Sequence, residues 1–134
     1  MKRFFLLVLV FVLIFIGSAC KKNEELQFNI VGTWNFAITF VENQQTMTEN
    51  CLAEFAGTIT EGEWVIDINE FDSLFGSYQV AGNVVQMQVS HANFEGGITG
   101  SFTGQFENDN KMSGTWTMFD DGIPMSGTWM ATRN

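Results

Sequence analysis

Few residues in this chain are of types that do chemistry, and their spacing does not gather them. His91 is the sole histidine; it falls at a predicted strand end, and no serine or cysteine motif accompanies it. Cys51 belongs to a different predicted strand, so the two residues do not form a His/Cys metal cluster. The sequence therefore predicts a protein that is not an enzyme and that holds no metal and no other cofactor.

Two predicted turns are rich in Asp and Asn, the residue types that bind calcium. They are Asn108-Asp109-Asn110 and Asp120-Asp121-Gly122. Neither has the ligand spacing of a calcium-binding loop. Both are sufficiently explained as turns between strands.

The charge is strongly acidic. The chain has 15 Asp and Glu against 6 Lys and Arg, a net charge of −9. From Val31 onward, Lys111 and Arg133 are the only lysine or arginine residues. Such a surface repels phosphate backbones, so nucleic acid is not an expected partner.

The first residues have the pattern of an export signal. Lys2 and Arg3 precede an apolar run at residues 4–16. A helix of that length reaches only about 20 Å, short of the roughly 30 Å hydrocarbon core of a bilayer. A basic start and a short apolar run therefore indicate a cleaved signal at residues 1–19.

Gly17-Ser18-Ala19 comes directly before Cys20, and this arrangement resembles a bacterial lipoprotein signal. The resemblance implies that Cys20 is acylated and becomes the mature N-terminus, with the lipid bilayer as its partner. It places the protein at the cell envelope, in the outer membrane or at the cell surface, with residues 20–30 as a tether. The alternative is an ordinary signal followed by an incidental cysteine. If Cys20 is acylated, Cys51 has no disulfide partner and is expected to be a buried apolar residue.

From Val31 onward, apolar and polar residues alternate with the period of a β-strand. The pattern predicts an all-β domain at 31–134, an antiparallel up-and-down β-barrel closed between its first and last strands. A small sandwich is the structural alternative. The predicted strands are 32–41, 47–60, 63–69, 75–81, 84–91, 98–107, 111–119 and 124–132.

A near-duplication defines the last hairpin. Met-Ser-Gly-Thr-Trp occurs at 112–116 and again at 125–129, with Asp121-Gly122 between the copies. That dipeptide favours a two-residue hairpin turn, which pairs Trp116 with Gly127 and Gly114 with Trp129. Each indole is then expected to lie over the glycine of the other strand on the inner face.

Three further tight turns are predicted to lie together at one end of the barrel, opposite the end that contains the Asp121-Gly122 turn. Glu61-Gly62 would place Ile59 opposite Trp64 on the inner face. Asn110 would be left-handed in a three-residue loop. The turns are Glu61-Gly62, Gly82-Asn83 and residues 108–110.

The longer predicted connections, near 42–46, 70–75 and 92–97, lie at the other end. They contain several large apolar residues, and this end is predicted to be the mouth of the barrel. The residues are Phe71, Leu74, Phe75 and Phe94.

Gly32-Thr33-Trp34 opens the first strand and Arg133 closes the last. In this the chain resembles the lipocalins and the wider calycin group, especially the short lipocalin-like domains of bacterial lipoproteins. The repeated Gly-Thr-Trp is also similar to avidin-type barrels. The lipocalin resemblance implies a barrel-closing motif of Gly32, Trp34 and Arg133, in which the arginine lies across the indole as a cation–π contact.

The resemblance and the inner-face composition together predict a non-catalytic lipoprotein that binds or carries a small apolar molecule. The alternative is a filled barrel whose aromatic loops dock another envelope protein. A hydrolase or isomerase in a calycin barrel is a distant third. The side chains predicted to line the pocket, or to fill the barrel instead, are Phe36, Phe40, Phe55, Met87, Phe102 and Met118.

Overall fold

A computed structural model describes residues 27–70, 72–92 and 98–134. The proposed signal at 1–19, Cys20, Phe71 and Phe94 lie outside the described residues. Within them, no helix is long and apolar enough to cross a membrane. The strands are β1 (Gly32–Glu42), β2 (Gln45–Gly57), β3 (Glu61–Asp67), β4 (Ser73–Ala81), β5 (Val84–Ala92), β6 (Ile98–Asn108), β7 (Lys111–Asp120) and β8 (Ile123–Arg133).

The strands form one closed antiparallel barrel in the order β1 to β8. Closure is made by β1 and β8, which pair from Trp34 opposite Arg133 to Phe40 opposite Gly127. The predicted up-and-down barrel is confirmed. The sandwich alternative is wrong, because every strand has two hydrogen-bonded neighbours and no sheet edge remains.

The β7–β8 hairpin has the predicted register. Asp121 and Gly122 form its turn with φ values of 48° and 82°, the left-handed backbone that a tight hairpin requires. Trp116 pairs with Gly127, and Gly114 pairs with Trp129. The Gly82-Asn83 turn is also as predicted.

The turn between β2 and β3 differs from the prediction. Gly57 pairs with Gly62, and Phe55 faces Trp64, so Ile59 is not opposite Trp64. The turn is instead residues 58–60. The Thr58 hydroxyl stabilises it, because its Oγ1 accepts from the backbone N–H of Thr60 at 3.3 Å and of Glu61 at 3.1 Å. The turn at residues 58–60, which the Thr58 side chain stabilises, therefore forms in place of the predicted turn at Glu61-Gly62.

The connection between β1 and β2 is shorter than predicted. It consists of Asn43 and Gln44 alone, with φ values of 50° and 65°. Two consecutive left-handed residues make a tight hairpin turn, for which asparagine is well suited. The residues predicted to form a loop at 42–46 therefore mostly belong to two long strands.

The turn between β6 and β7 is also tighter than predicted. Asn108 pairs with Lys111, and a bulge at Glu107 supplies the odd residue that keeps Phe106 opposite Met112. Asn110 is not left-handed. Glu107 Oε2 lies 2.9 Å from Lys111 Nζ, and Glu107 Oε1 accepts from the Ser113 hydroxyl at 2.7 Å. The bond from Lys111, and then that from Ser113, lowers the pKa of the Glu107 carboxyl.

The fourth strand begins earlier than predicted. Leu74 and Phe75 lie within β4, and Leu74 is buried rather than exposed on a loop. A bulge follows between Phe75 and Gly76. The described part of the connection before it is held at Asp72, whose carbonyl accepts from the backbone N–H of Ile68 at 2.9 Å.

The core lies inside the barrel, and its buried residues among those described run from Ile30 to Ala131. Phe28 stacks on Phe106 with ring centroids 4.7 Å apart, and Ile30 is fully buried. Residues 28–31 thus cover one end of the barrel. A closed set of backbone partners around one core is what an independently folding unit requires.

Candidate functional site

The two ends of the barrel are built differently. The closed end comprises residues 28–31, the turns at 58–60, 82–83 and 109–110, and Arg133. The opposite end, called the mouth below, comprises the turns at 43–44 and 121–122, the described residues of 68–72, the end of β5 and the start of β6. It is the end at which the sequence predicted a mouth.

A cavity of about 660 Å³ opens at the mouth. That volume lies within the range typical of small-molecule sites. Most of its lining is apolar, and three carboxylates complete it. The apolar residues are Ile38, Phe40, Ile68, Leu74, Ile98, Trp116, Met118 and Met125; the carboxylates belong to Glu49, Asp72 and Asp120.

Two of the six predicted pocket residues line this cavity. They are Phe40 and Met118, which are partly buried at the mouth. The other four do not line it and are buried below it. These are Phe36, Phe55, Met87 and Phe102.

Aromatic packing fills the barrel beneath the cavity. Phe36 stacks on Trp129 with centroids 5.0 Å apart, and Phe102 meets the edge of Trp64 at 5.8 Å. Phe55 contacts Tyr78 at 5.5 Å, close to the closed end. The lower barrel is therefore a packed core, and the cavity is confined to the mouth.

Trp116 is the tryptophan that lines the cavity, and sequence reasoning did not assign it there. Its indole N–H donates to the Thr39 carbonyl at 3.2 Å. Because that hydrogen bond satisfies its polar atom, the ring presents only carbon surface and its π face to a ligand. Trp116 precedes Met118 by two residues on β7, and this shared inward-facing position could have predicted that Trp116 lines the cavity.

Glu49 on β2 and Asp120 on β7 occupy inward-facing positions of their strands, and Asp72 lies in the connection just before β4. Glu49 precedes Cys51 by two residues on β2, and Asp120 follows Met118 by two on β7. Asp72 precedes the buried Leu74 by two. The Asp72 carboxylate also accepts from the Asn69 side-chain amide at 2.7 Å. The mouth therefore combines an apolar interior with an acidic lining.

The closed end contains the motif suggested by the lipocalin resemblance. The Arg133 guanidinium carbon lies 4.3 Å from the Trp34 ring centroid. Arg133 also donates to the carbonyls of Asn29 and Val31, the latter at 3.1 Å. Gly32 has φ of 124°, and a Cβ there would lie 3.4 Å from the guanidinium. The cation–π contact of Arg133 and its hydrogen bonds to backbone carbonyls therefore close this end of the barrel.

His91 and Cys51 lie on different strands of the barrel. His91 lies in β5 opposite Phe75, but its side chain is outside the described residues. Cys51 is half-buried, with its Sγ 3.7 Å from the Phe36 carbonyl oxygen. Burial, followed by the charges of Glu49 and Asp67, raises the pKa of the Cys51 thiol to about 11. It is therefore a protonated, unreactive thiol at neutral pH.

Comparison with protein-family models and with curated proteins finds no match to this chain.

Proposed function

We propose that this protein is an exported lipoprotein, acylated at Cys20, whose barrel binds or carries a small apolar molecule at its mouth. It is not an enzyme in this proposal, and it is held at the cell envelope, in the outer membrane or at the cell surface. The export signal and Cys20 support the location. The resemblance to lipocalin-like domains supports the function.

The single observation that carries the binding function is the mouth cavity. An apolar cavity of about 660 Å³ is left open above a core that is otherwise filled by aromatic rings. Exposed apolar surface of this kind is unfavourable in water, and an apolar ligand removes it from solvent. Trp116, Phe40 and Met118 would contact that ligand, and Met118 and Met125 would adapt to its shape.

The test uses residues 21–134, which include the complete barrel, and N-phenyl-1-naphthylamine as a neutral apolar probe. We expect micromolar binding, with probe fluorescence rising and tryptophan emission falling. Met125→Arg should weaken it, because a charged side chain then enters the apolar lining. Met130→Arg is the matched control, since Met125 and Met130 are 44% and 45% exposed on opposite faces of β8. Absence of binding at micromolar concentrations would refute the carrier function.

A second candidate function is that of an interaction protein of the envelope. It is favoured by apolar side chains at the tips of the two mouth hairpins, where Val41 is 70% and Ile123 is 65% exposed. Phe119, on the β7 strand of the second hairpin, is also exposed. Exposed apolar side chains at one end of the barrel are a candidate docking surface for another protein.

The two candidates predict different responses to the same variant. Val41→Ser with Ile123→Ser should abolish recovery of a cross-linked envelope partner if these tips dock it. The same variant should leave binding of N-phenyl-1-naphthylamine unchanged, because neither residue lines the cavity. Retained probe binding with no effect on cross-linking would favour the carrier function.

A further inference from the structure

We infer that the mouth cavity selects apolar molecules that carry a positive charge. The charge would lie at the acidic lining formed by Glu49, Asp72 and Asp120, and the apolar part would lie towards Trp116 and Leu74. This inference rests on the proposed binding function, because it names the class of ligand for the same cavity.

The first argument is that the carboxylates stand where the alternation calls for apolar side chains. On β7, Met112 and Trp116 are buried on the inner face, Met118 is partly buried there, and Asp120 is the next inward position. Glu49 holds the corresponding place on β2, beyond Cys51 and Ala53. Two strands, β2 and β7, thus change from apolar to acidic at the level of the cavity.

Protection of a sheet edge does not account for these positions. Natural sheets use inward-pointing charges to stop edge strands from pairing with other chains. This barrel is closed from β1 to β8 and has no edge to protect. Solubility is already served by outward carboxylates such as Glu54 and Glu63, which are exposed on β2 and β3.

The second argument concerns what happens when the cavity is filled. In the free protein, Glu49 and Asp120 are exposed and Asp72 is partly exposed, so water solvates their charges. An apolar ligand seated on Trp116 would displace part of that water. A neutral ligand would leave the carboxylates poorly solvated, whereas a cationic group would replace the lost solvation with an opposite charge.

Within residues 27–70, 72–92 and 98–134, no lysine or arginine lies at the mouth. Lys111 and Arg133 are the only lysine or arginine residues from residue 27 onward, and both lie at the closed end. Lys111 contacts Glu107 at 2.9 Å, and Arg133 lies on Trp34. An incoming positive charge therefore meets no competition or repulsion from a lysine or arginine of the described barrel.

The separation of the carboxylates indicates an organic cation. Among the described residues, no three His, Cys, Asp or Glu side chains are grouped closely enough to hold a metal ion. Carboxylates spread around a wide apolar mouth suit a bulky ammonium group, which needs a negative field and apolar contact rather than a fixed coordination shell.

The experiment compares three probes that share a ten-carbon chain: decyltrimethylammonium, decanol and decanoate. Binding to residues 21–134 is measured by calorimetry at low salt and again at 0.5 M salt. We expect the cation to bind about tenfold more tightly than decanol, because each exposed pair of opposite charges contributes a modest attraction. We expect decanoate to bind more weakly than either, because its carboxylate has the same charge as the cavity carboxylates. The preference should shrink at high salt, where such charges are screened.

The double variant Glu49→Gln with Asp120→Asn should bring the ratio of cation affinity to decanol affinity close to one. Glu54→Gln with Glu63→Gln removes the same charge from the outer face and should leave the preference intact. Equal binding of cation and alcohol, or a preference that survives the cavity variant, would overturn this inference and leave the apolar site standing. Failure of all three probes to bind would refute the proposed function together with it.

Discussion

Trp116 lies across Gly127 of the neighbouring strand, and the indole occupies the space that a side chain at position 127 would need. A Cβ on Gly127 would come within 1.9 Å of the Thr39 carbonyl oxygen and 2.8 Å of Trp116 Nε1. The same indole nitrogen donates to the Thr39 carbonyl at 3.2 Å. The glycine therefore allows the ring to reach across β8 and bond to β1.

Gly127→Ala should lower the free energy of unfolding by about 1–3 kcal/mol, the usual cost of overpacking a filled core. The added methyl group must displace either the Thr39 backbone or the Trp116 ring. Urea denaturation of residues 21–134 measures the change. The exposed neighbour Ser126 gives the control, since Ser126→Ala should change stability by less than about 0.5 kcal/mol. Equal stability of the two variants would contradict the packing argument.

Arg133→Ala should destabilise the barrel by about 2 kcal/mol, since it removes a cation–π contact and hydrogen bonds from a charged donor. Arg133→Lys should restore only part of this loss, because an ammonium group cannot stack on Trp34 and bond to both Asn29 and Val31 in the same way. Lys111→Ala removes the barrel's other Lys or Arg, whose exposed ion pair is worth under about 1 kcal/mol. Thermal unfolding of the three variants gives the comparison, and a larger loss for Lys111→Ala would refute it.

The Cys51 thiol should resist alkylation in the folded protein. Its pKa is raised from 9.0 to about 11, so folding favours the protonated form. This contribution to stability is complete below about pH 9 and is lost as pH rises towards about 11. Iodoacetamide at pH 8, followed by mass spectrometry of the Cys51 peptide, should show little modification before unfolding in urea and full modification after it. Rapid labelling of the folded protein would disprove the burial effect.

Cys20→Ala should release the protein from membranes or leave an uncleaved precursor, because the acylation site is then lost. Stable attachment requires more than one acyl chain, so the effect should be large. Incorporation of labelled fatty acid and partition into a detergent phase measure it in the host. Cys51→Ala is the control and should retain label and membrane attachment. Label that persists in Cys20→Ala would rule out acylation at this residue.

The strand pattern predicted the barrel because inward residues repeat strictly at every second position. Register was predictable wherever a turn needed glycine, as at Asp121-Gly122, where the left-handed φ values leave few alternatives. It was not predictable at residues 58–60. There a threonine hydroxyl stabilises the turn, and this signal is weaker than the Glu61-Gly62 dipeptide that follows it.

The extent of the cavity could not be derived from the alternation of apolar and polar residues, because inward side chains either fill a small barrel or line a cavity inside it. The outcome depends on how far large rings reach across the interior. Trp64 faces Gly76, as Trp129 faces Gly114, and their indoles bond to carbonyls of the glycine-bearing strands. These rings fill the lower barrel, so the predicted pocket residue Phe102 became core while Met118 remained at the cavity.

The contacts at the closed end also bear on how the proposed lipoprotein would be oriented. Arg133 holds the chain at Asn29 and Val31, so residues 29–31 lie at the end opposite the mouth. If Cys20 is acylated as proposed, the seven residues 21–27 can span at most about 25 Å between the lipid and the barrel. An 11-residue strand such as β1, tilted by about 40°, is itself roughly 27 Å tall. In that proposal the mouth faces away from the anchoring bilayer, and a ligand would enter from the surrounding solution or from a facing partner rather than from the lipid beneath.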